Sequence, residues 1–395
     1  MSSFNFAKNN PLQKTIAITG LASISALGNS YEQIWESYKS KASALKYSSA
    51  LDAWVGGLSD STMHEVENIR EENRNYQHLD PSVIYAIYCS RLATKQAGWQ
   101  QKEDFGINIG SSRGATQLFE KYYSEFEKNG TSSTLASPSS TLGNISSWVA
   151  QDLQSNGPEI SHSITCSTAL HALLNGVAWL SSGMSDKFLV GGSEAALTPF
   201  TIAQINAMKI YAPSDPIDYP CRALDLNKHI NTMVLGEGAS SICIELGQKE
   251  NALAYISGVG YATERLKHAV SISAEADCFQ KSMKMALGEI PFSEVDAIVM
   301  HAPGTIAGDM TEYKAIQKTF GDDIPLLTTN KWKIGHTFGA SGLLSLELAV
   351  MMLQMQKFIG VPFISHKIEE QSLNTILVNA VGFGGNAVSI LLSKA

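Results

Sequence analysis

One cysteine and two histidines carry the chemistry that this sequence can be expected to perform. Cys166 stands in the run Ile160-Ser161-His162-Ser163-Ile164-Thr165-Cys166-Ser167-Thr168-Ala169-Leu170-His171. Before it, Ile160 and Ile164 fall on one side of an alternating pattern, which suits a short strand. After it, Ala169, Leu170, Leu173, Leu174, Val177 and Leu180 recur at helical spacing, and Gly183 supplies a stop. Ser167 and Thr168 are short polar residues suited to helix entry. Cys166 is thereby placed where a strand turns into a helix, and the unpaired N–H groups and positive end of that helix favour a thiolate. Most free cysteines are buried and inert. The junction, and the two histidine motifs, argue instead for a nucleophile.

His301 opens His301-Ala302-Pro303-Gly304-Thr305 at the end of the apolar run 295–300. The carboxyl end of a strand is where α/β proteins carry their active groups. His336 lies in Lys331-Trp332-Lys333-Ile334-Gly335-His336-Thr337-Phe338-Gly339-Ala340, at another strand-to-helix junction. A single histidine at such a place is more often structural. Two of them in one half of the chain, with a nucleophile-like cysteine in the other, are harder to explain that way.

The elements that must hold these residues are legible as alternating strands and helices. Residues 15–19 read as a buried strand running into a turn at Gly20, and Ser30 caps a helix over 31–41. Residues 60–77 are charged and suit a solvated helix or surface excursion, with His64 and His78 at the surface. A packed helix spans 83–97 and ends near Gly98. Residues 105–112 form a second strand-to-turn unit, without the glycine spacing of a nucleotide cradle. Residues 129–140 read as a loop, 148–154 as helix, and 188–194 as a strand closed by a glycine pair. Residues 207–227 hold Pro213, Pro216 and Pro220 and must be irregular. Strands follow at 240–246 and 252–259, and charged residues between them mark a boundary between residues 1–250 and 251–395. The second part repeats the rhythm: helix 274–287, strand 295–300, helix 309–320, strand 326–329, helix 339–356. This predicts an α/β fold with mixed or parallel sheets and an internal pseudo-duplication.

Composition narrows the class further. A chain of 395 residues, 44% apolar and 17% charged, can bury a large core. Its net charge of -8 disfavours nucleic acid as a partner. The five cysteines, at 89, 166, 221, 243 and 278, are odd in number and lack metal-ligand spacing. A reduced cytoplasmic protein without a metal fits them better than a disulfide framework. Residues 1–8 lack the apolar core of a signal peptide. The most membrane-like run, 338–353, is short and broken by Glu347, so it reads as a buried helix and not as a span.

With these residues in view, the chain resembles a β-ketoacyl-acyl carrier protein synthase of the fatty-acid elongating type, a condensing enzyme of the thiolase superfamily. The resemblance runs nearly end to end. It begins at Ile18-Thr19-Gly20-Leu21 and Leu27-Gly28-Asn29 and continues through the cysteine motif, Gly191-Gly192-Ser193-Glu194 and Gly236-Glu237-Gly238-Ala239. It ends with both histidine motifs and Asn379-Ala380-Val381-Gly382-Phe383-Gly384-Gly385. It implies a thiolase-like five-layer αβαβα fold and a dimer, either a homodimer or a ketosynthase heterodimer. It also implies that Cys166 takes the acyl chain as a thioester, while His301 and His336 hold the malonyl extender's carbonyl and stabilise the enolate formed as carbon dioxide leaves. The tetrahedral oxyanion falls to the backbone N–H groups of Cys166 and Phe383. Lys331 matches the family lysine five residues before the second histidine, and Glu312 its acidic partner, expected as a buried ion pair holding the histidine loop. Thr305 falls to the phosphopantetheine arm of the acyl carrier protein, the partner that delivers both substrates; no bound cofactor is implied.

Three departures from the family pattern touch the carrier arm and gating loops, not the nucleophile. Pro303 stands where a hydroxyl is usual, 227–233 replaces an Arg-Asp-Gly-Phe run, and the last hairpin lacks its usual threonine. They suggest a divergent synthase of secondary metabolism, building polyene or pigment chains. Two other readings compete. A non-catalytic chain-length-factor-like partner subunit usually lacks the cysteine, and a Cys-His hydrolase needs one histidine paired to the cysteine and a third group orienting it. Among the thiols, Cys221 follows Pro220 in a loop, and exposure there would make it a competitor to Cys166.

Overall fold

Ile16, Ala17 and Ile18 are wholly buried because the strand they open, β1 (Ile16–Ile24), is paired on both sides. The structure, a computed structural model, describes residues 14–100, 102–142, 144–215, 217–265, 272–365 and 372–395. The N-terminal stretch read against a signal peptide, and Pro216, fall outside these. After β1 come helix α1 (Pro81–Ala97), β2 (Gly106–Gly110), α2 (Asn144–Leu153) and the two-residue β3 (Glu159–Ile160). Then follow α3 (Thr168–Ser182), β4 (Lys187–Glu194), α4 (Pro199–Ala207) and β5 (Gly238–Leu246). The second series is β6 (Ala254–Thr263), α5 (Asp277–Leu287), β7 (Ala297–Val299) and α6 (Ile306–Phe320). It ends with β8 (Leu326–Thr328), α7 (Ser341–Met355), β9 (Thr375–Gly382) and β10 (Asn386–Ser393).

These strands form one sheet in the order β8-β7-β9-β10-β6-β1-β5-β4-β2-β3. Read outward from its centre, each half has the same topology. The first strand pairs antiparallel with the last (β1 with β5, β6 with β10), and the last pairs antiparallel with the one before it in sequence (β5 with β4, β10 with β9). Two parallel pairings then complete each half. The halves meet through β1 and β6, where Ile16, Ala17 and Ile18 face Ile256, Tyr255 and Ala254. Helices α3 and α7 touch each other and strands of both halves, whereas α1 and α2 cover one outer face and α5 and α6 the other. That is the five-layer αβαβα arrangement with internal duplication. Cys166 precedes α3 and His336 precedes α7, so the nucleophile candidate and one histidine are duplicates of each other in position.

Gly20 does not end β1 as the sequence suggests. A Cβ there would lie 2.2 Å from the Ala93 carbonyl oxygen of α1, so glycine lets the helix lie on the strand, which continues past a shift in register. The loop expected over 129–140 contains a short helix, Ala136–Ser140. The charged segment after residue 60 is helical over Asp60–Glu67 but buries Val66, Ile69 and Tyr76, so it is packed more firmly than its composition suggests.

The apolar run Phe338–Met355 has the length and composition of a membrane-crossing helix, and 89% of it is buried inside the protein. It carries a buried acid. Ser23 donates to Glu347 Oε1, Oε2 is enclosed without a partner, and burial raises the carboxyl to about 7. The folded protein therefore holds this proton more tightly than the unfolded chain does, so the group's contribution to stability falls as pH rises from about 4.5 to 7. Glu347→Gln cannot titrate, so its stability relative to wild type should rise between pH 5 and pH 8, by on the order of 2 kcal/mol. Urea midpoints across that range check the sign. A constant difference would mean that Glu347 binds its proton equally in the folded and unfolded states.

Candidate active site

The chain leaves β3 at Ile160, so the strand does not reach Ile164 and a tight turn carries Cys166 to α3. Thr165 sits at φ 47°, in the left-handed region. The Thr168 hydroxyl clasps the turn, donating to the Thr165 carbonyl (2.6 Å) and accepting from the Ile164 N–H (2.9 Å). Ser167 does not cap the helix with its side chain; its hydroxyl donates to the Ile164 carbonyl (3.0 Å). The closing hairpin lies on this turn. A Cβ at Gly382 would come within 2.0 Å of Thr165 Oγ1 and 2.7 Å of the Ile164 oxygen.

This turn also overturns the expectation of a resting thiolate. Cys166 is 7% exposed, and burial, reinforced by the nearby Glu194 carboxylate, pushes its thiol up to about 12. Lys331 and Arg113 pull the other way without prevailing. The Ser167 and Thr168 N–H groups, which a helix start offers to an anion, donate to the Ile164 and Thr165 carbonyls (both 3.3 Å). Desolvation outweighs the helix end here.

The two histidines meet at the same place. Their ring centroids are 5.3 Å apart with planes at 84°, and both side chains line a cavity of about 430 Å³ whose wall includes Cys166. His336 Nδ1 accepts from the Phe338 N–H (2.9 Å), so its proton is on Nε2. His301 Nδ1 is enclosed without a partner, and an enclosed unpaired N–H is costlier than an unpaired lone pair, so that proton also belongs on Nε2. Burial holds His336 down to about 3 and His301 well below its usual value, and in both cases the Lys331 cation adds to the effect. Both rings are therefore neutral donors near neutral pH.

Lys331 and Glu312 are not the ion pair expected of them. Glu312 accepts from the backbone N–H groups of His301 (3.0 Å) and Ala302 (2.8 Å) and from Asn379 Nδ2 (3.3 Å). Both carboxylate oxygens are thereby committed to the histidine loop, which holds Ala302 at φ 26°. Burial raises Glu312 to about 7. Lys331 Nζ donates to Ser345 Oγ (3.1 Å) and Asn330 Oδ1 (3.4 Å), and burial lowers it to about 8, opposed by attraction to Glu312 and Cys166. Glu312 holds the loop, then, and Lys331 acts across space as a buried cation.

The divergent segment 227–233 braces that loop as well. Lys228 and Asp309 form a buried ion pair (2.6 Å), and Asp309 also accepts from the Gly304 (2.9 Å) and Leu224 (2.8 Å) N–H groups. Thr232 donates from its N–H and its hydroxyl to the Gly304 carbonyl (both 2.9 Å), and the Ile306 N–H donates to Asn231 Oδ1 (2.9 Å). Pro303, Thr305 and Phe383 line the cavity. Thr305 caps α6, accepting from the Gly308 N–H (3.1 Å). Phe383, 40% exposed, sits in the hairpin turn, and its N–H has no partner among the described residues.

None of the five cysteines is disulfide-bonded, and Cys221, whose place after Pro220 left exposure open, is wholly buried with its thiol pushed up to about 12. Only Cys166 among them lines the cavity. Limited alkylation with peptide mapping should therefore label Cys166 first. Because its thiol titrates far above neutrality, the rate should climb about tenfold per pH unit between 7 and 9. Faster labelling at Cys221, or a rate flat with pH, contradicts this environment.

Residues 13–250 match the family model described as Beta-ketoacyl synthase, N-terminal domain, and residues 253–362 that of Beta-ketoacyl synthase, C-terminal domain. The chain belongs to the beta-ketoacyl synthases. It is 27% identical to 3-oxoacyl-[acyl-carrier-protein] synthase 2 of Coxiella burnetii (strain RSA 493), over 97% of this chain and 99% of that one. It is 24% identical to the protein of the same name from Staphylococcus aureus (strain COL), over 96% and 98%. Its fold is that of the ishigamide ketosynthase/chain length factor (TM-score 0.83, 18% identity, 97% of this chain and 100% of that chain). It is also that of a Beta-ketoacyl synthase from Burkholderia phymatum STM815 (TM-score 0.81, 20% identity, 97% and 100%).

Within this ketosynthase site three residues carry weight that the sequence reading did not assign. Glu194, at the end of the quoted Gly-Gly-Ser-Glu run, accepts from the Ser112 and Gly339 N–H groups and so ties β4 to the start of α7. An acid closing an apolar strand was the available signal. Phe338, at φ 42°, packs its ring 5.6 Å from that of His336. Arg113 lies over the Phe338 ring, 5.4 Å from its centroid, and nothing in its sequence setting foretold that contact.

Proposed function

We propose that this protein is an acyltransferase that condenses an acyl thioester with a malonyl group on acyl carrier protein, giving a 3-oxoacyl thioester in fatty-acid or polyketide-like elongation. One observation carries the reading: two neutral imidazoles present Nε2–H donors to one cavity whose wall is a cysteine. A hydrolase of the Cys-His type needs a histidine acting as base on the thiol and oriented by a third group. Here the Nδ1 of His336 is occupied by a backbone N–H and that of His301 has no partner, so neither ring has the orienting carboxylate.

In the first half-reaction Cys166 Sγ attacks the acyl carrier thioester. The pantetheine thiol leaves with the proton that Cys166 gives up. Lys331 and Arg113 ease the loss of that proton against burial. In the second, the malonyl carbonyl oxygen sits between the two Nε2–H groups. As carbon dioxide departs, the enolate oxygen keeps both donors, in a site that needs no reorganisation. The enolate carbon attacks the acyl-cysteine carbonyl, whose oxyanion accepts from the Cys166 and Phe383 N–H groups, and Sγ leaves as the thiolate, which takes up a proton again. Thr305 and Asn231 at the cavity wall are the groups on hand for the pantetheine arm.

The names of the relatives support the carrier-bound substrate. A neighbouring fold is titled a type II PKS acyl-carrier protein in complex with its ketosynthase bound to the hexaketide. Pairing with a second copy or a related subunit is supported by helix Thr116–Asn129, which exposes Phe119, Tyr123 and Phe126 on one face. The test is intact mass of the protein after exposure to acyl-carrier protein, then to malonyl-carrier protein. A condensing enzyme gains the acyl mass on Cys166 and loses it with release of a 3-oxoacyl carrier. A partner subunit gains nothing, and a hydrolase gives free acid without malonyl.

A further inference from the structure

We propose that Arg113 selects the acyl group loaded on Cys166, favouring chains that carry an oxygen acceptor over plain hydrocarbon chains. The inference rests on the condensing function above and concerns the same site.

Arg113 follows β2, close enough to influence both Cys166 and Glu194 electrostatically. It makes no ion pair with a carboxylate within 4.0 Å among the described residues. Its one side-chain hydrogen bond among the described residues is to the neutral Gln204 Oε1 of α4. Its Nε–H is enclosed without an acceptor. A guanidinium has five N–H donors, so most of its capacity beside the nucleophile is unused. Burying such a cation further, without a partner, is unfavourable.

The cavity that holds the two histidines reaches Phe338 but not Arg113, which lies against the Phe338 ring from outside it. Two groups meet at Cys166 during condensation. The extender must lie in the cavity, where the Nε2–H donors are. The acyl group on Sγ must then extend along another wall, and Phe338 with Arg113 behind it forms one. Phe338 is held at φ 42°, a conformation an aromatic residue rarely adopts and one that a change of rotamer and backbone would relieve. A hydrocarbon chain that displaced this ring would cover the guanidinium with nothing to accept its protons. A chain with a carbonyl, hydroxyl or carboxylate oxygen would supply the missing acceptor. The loading step itself is thioester exchange: the carrier's C–S bond breaks as the Sγ–C bond forms, and the proton from Cys166 passes to the departing thiol.

The experiment compares loading of Cys166 from three carrier proteins of matched chain length, bearing hexanoyl, 5-oxohexanoyl and 5-carboxypentanoyl groups, followed by intact mass. The oxygenated chains should load about tenfold to a hundredfold faster than hexanoyl, the range to which a charge-assisted hydrogen bond converts. Arg113→Met should remove the preference, so that all three chains load at one rate, below that of wild type because the thiol loses a cation that eases its proton loss, and Arg113→Lys should keep part of the preference, most for the carboxylate. The wild-type comparison stands without either variant should they fold poorly. Equal loading of all three chains by the wild type, or faster loading of hexanoyl, overturns the assignment of Arg113 and leaves the condensing function standing. No loading from any carrier overturns that function, and the assignment with it.

Discussion

Cys166→Ala should fold, still release carbon dioxide from malonyl-carrier protein, and make no condensed product. The change removes one sulfur from the wall of an open cavity, not from the interior of a closed core, so no enclosed void is left behind. Its turn is held by the Thr168 hydroxyl and by Gly382 against Thr165, none of which involves Sγ. The histidine loop is held by Glu312, Asn379 and Asp309, on other elements. The donors for the enolate therefore survive while the acceptor of the acyl group is gone. Chain elongation should fall to the background of the uncatalysed reaction, with carbon dioxide release uncoupled from it. Thermal melting, intact mass and gas release on one preparation test the three parts. Product at the wild-type rate would place the nucleophile elsewhere, and loss of both activities with a native melting point would mean that the thiol also supports the histidine pair.

The half-by-half rhythm of strands and helices was readable because apolar residues keep strict period along each buried element. That is why β4, β5, α1 and α7 lie close to where their patterns place them. That Cys166, His301 and His336 sit at strand-to-helix junctions was readable from residue type and sequence order, and these junctions bring them to one cavity. What the sequence did not reveal depends on which groups meet across the fold. Glu312 and Lys331 were matched as partners by the family resemblance, yet two backbone N–H groups reach the carboxylate first, and Ser345 and Asn330 take the ammonium. The height of the Cys166 pKa follows from how closely the last hairpin covers the turn, and no local pattern records that. Helix α4 was passed over between a strand and a proline-rich run. Its Thr198 caps it (3.2 Å to the Thr201 N–H) and Pro199 opens it, a start signal that was present but unread.

Removing either histidine should slow decarboxylation by about 10²–10³-fold, the scale of losing one preorganised oxyanion donor, while acyl loading of Cys166 stays intact. The separation follows from the geometry. Neither ring is hydrogen-bonded to the thiol, and Lys331 and Arg113, not an imidazole, are the cations that lower its pKa. His301→Ala also leaves the Glu312 bonds to the loop in place, since they run to backbone N–H groups. His336→Ala frees the Phe338 N–H from its acceptor, so this variant should lose somewhat more than the other through a looser Phe338. Both donors serve one oxygen, so the double variant should lose less than the product of the two single effects. The pH profile gives a second check. Burial holds His336 down to about 3 and His301 well below its usual value, so both are neutral donors near neutral pH and decarboxylation by wild type should show no acid limb near pH 6.5 from these groups. An acid limb near pH 6.5 that disappears in either variant would show that a ring charges in that range and acts as a base. Loss of acyl loading with decarboxylation untouched would assign the histidines to the first half-reaction in place of the second.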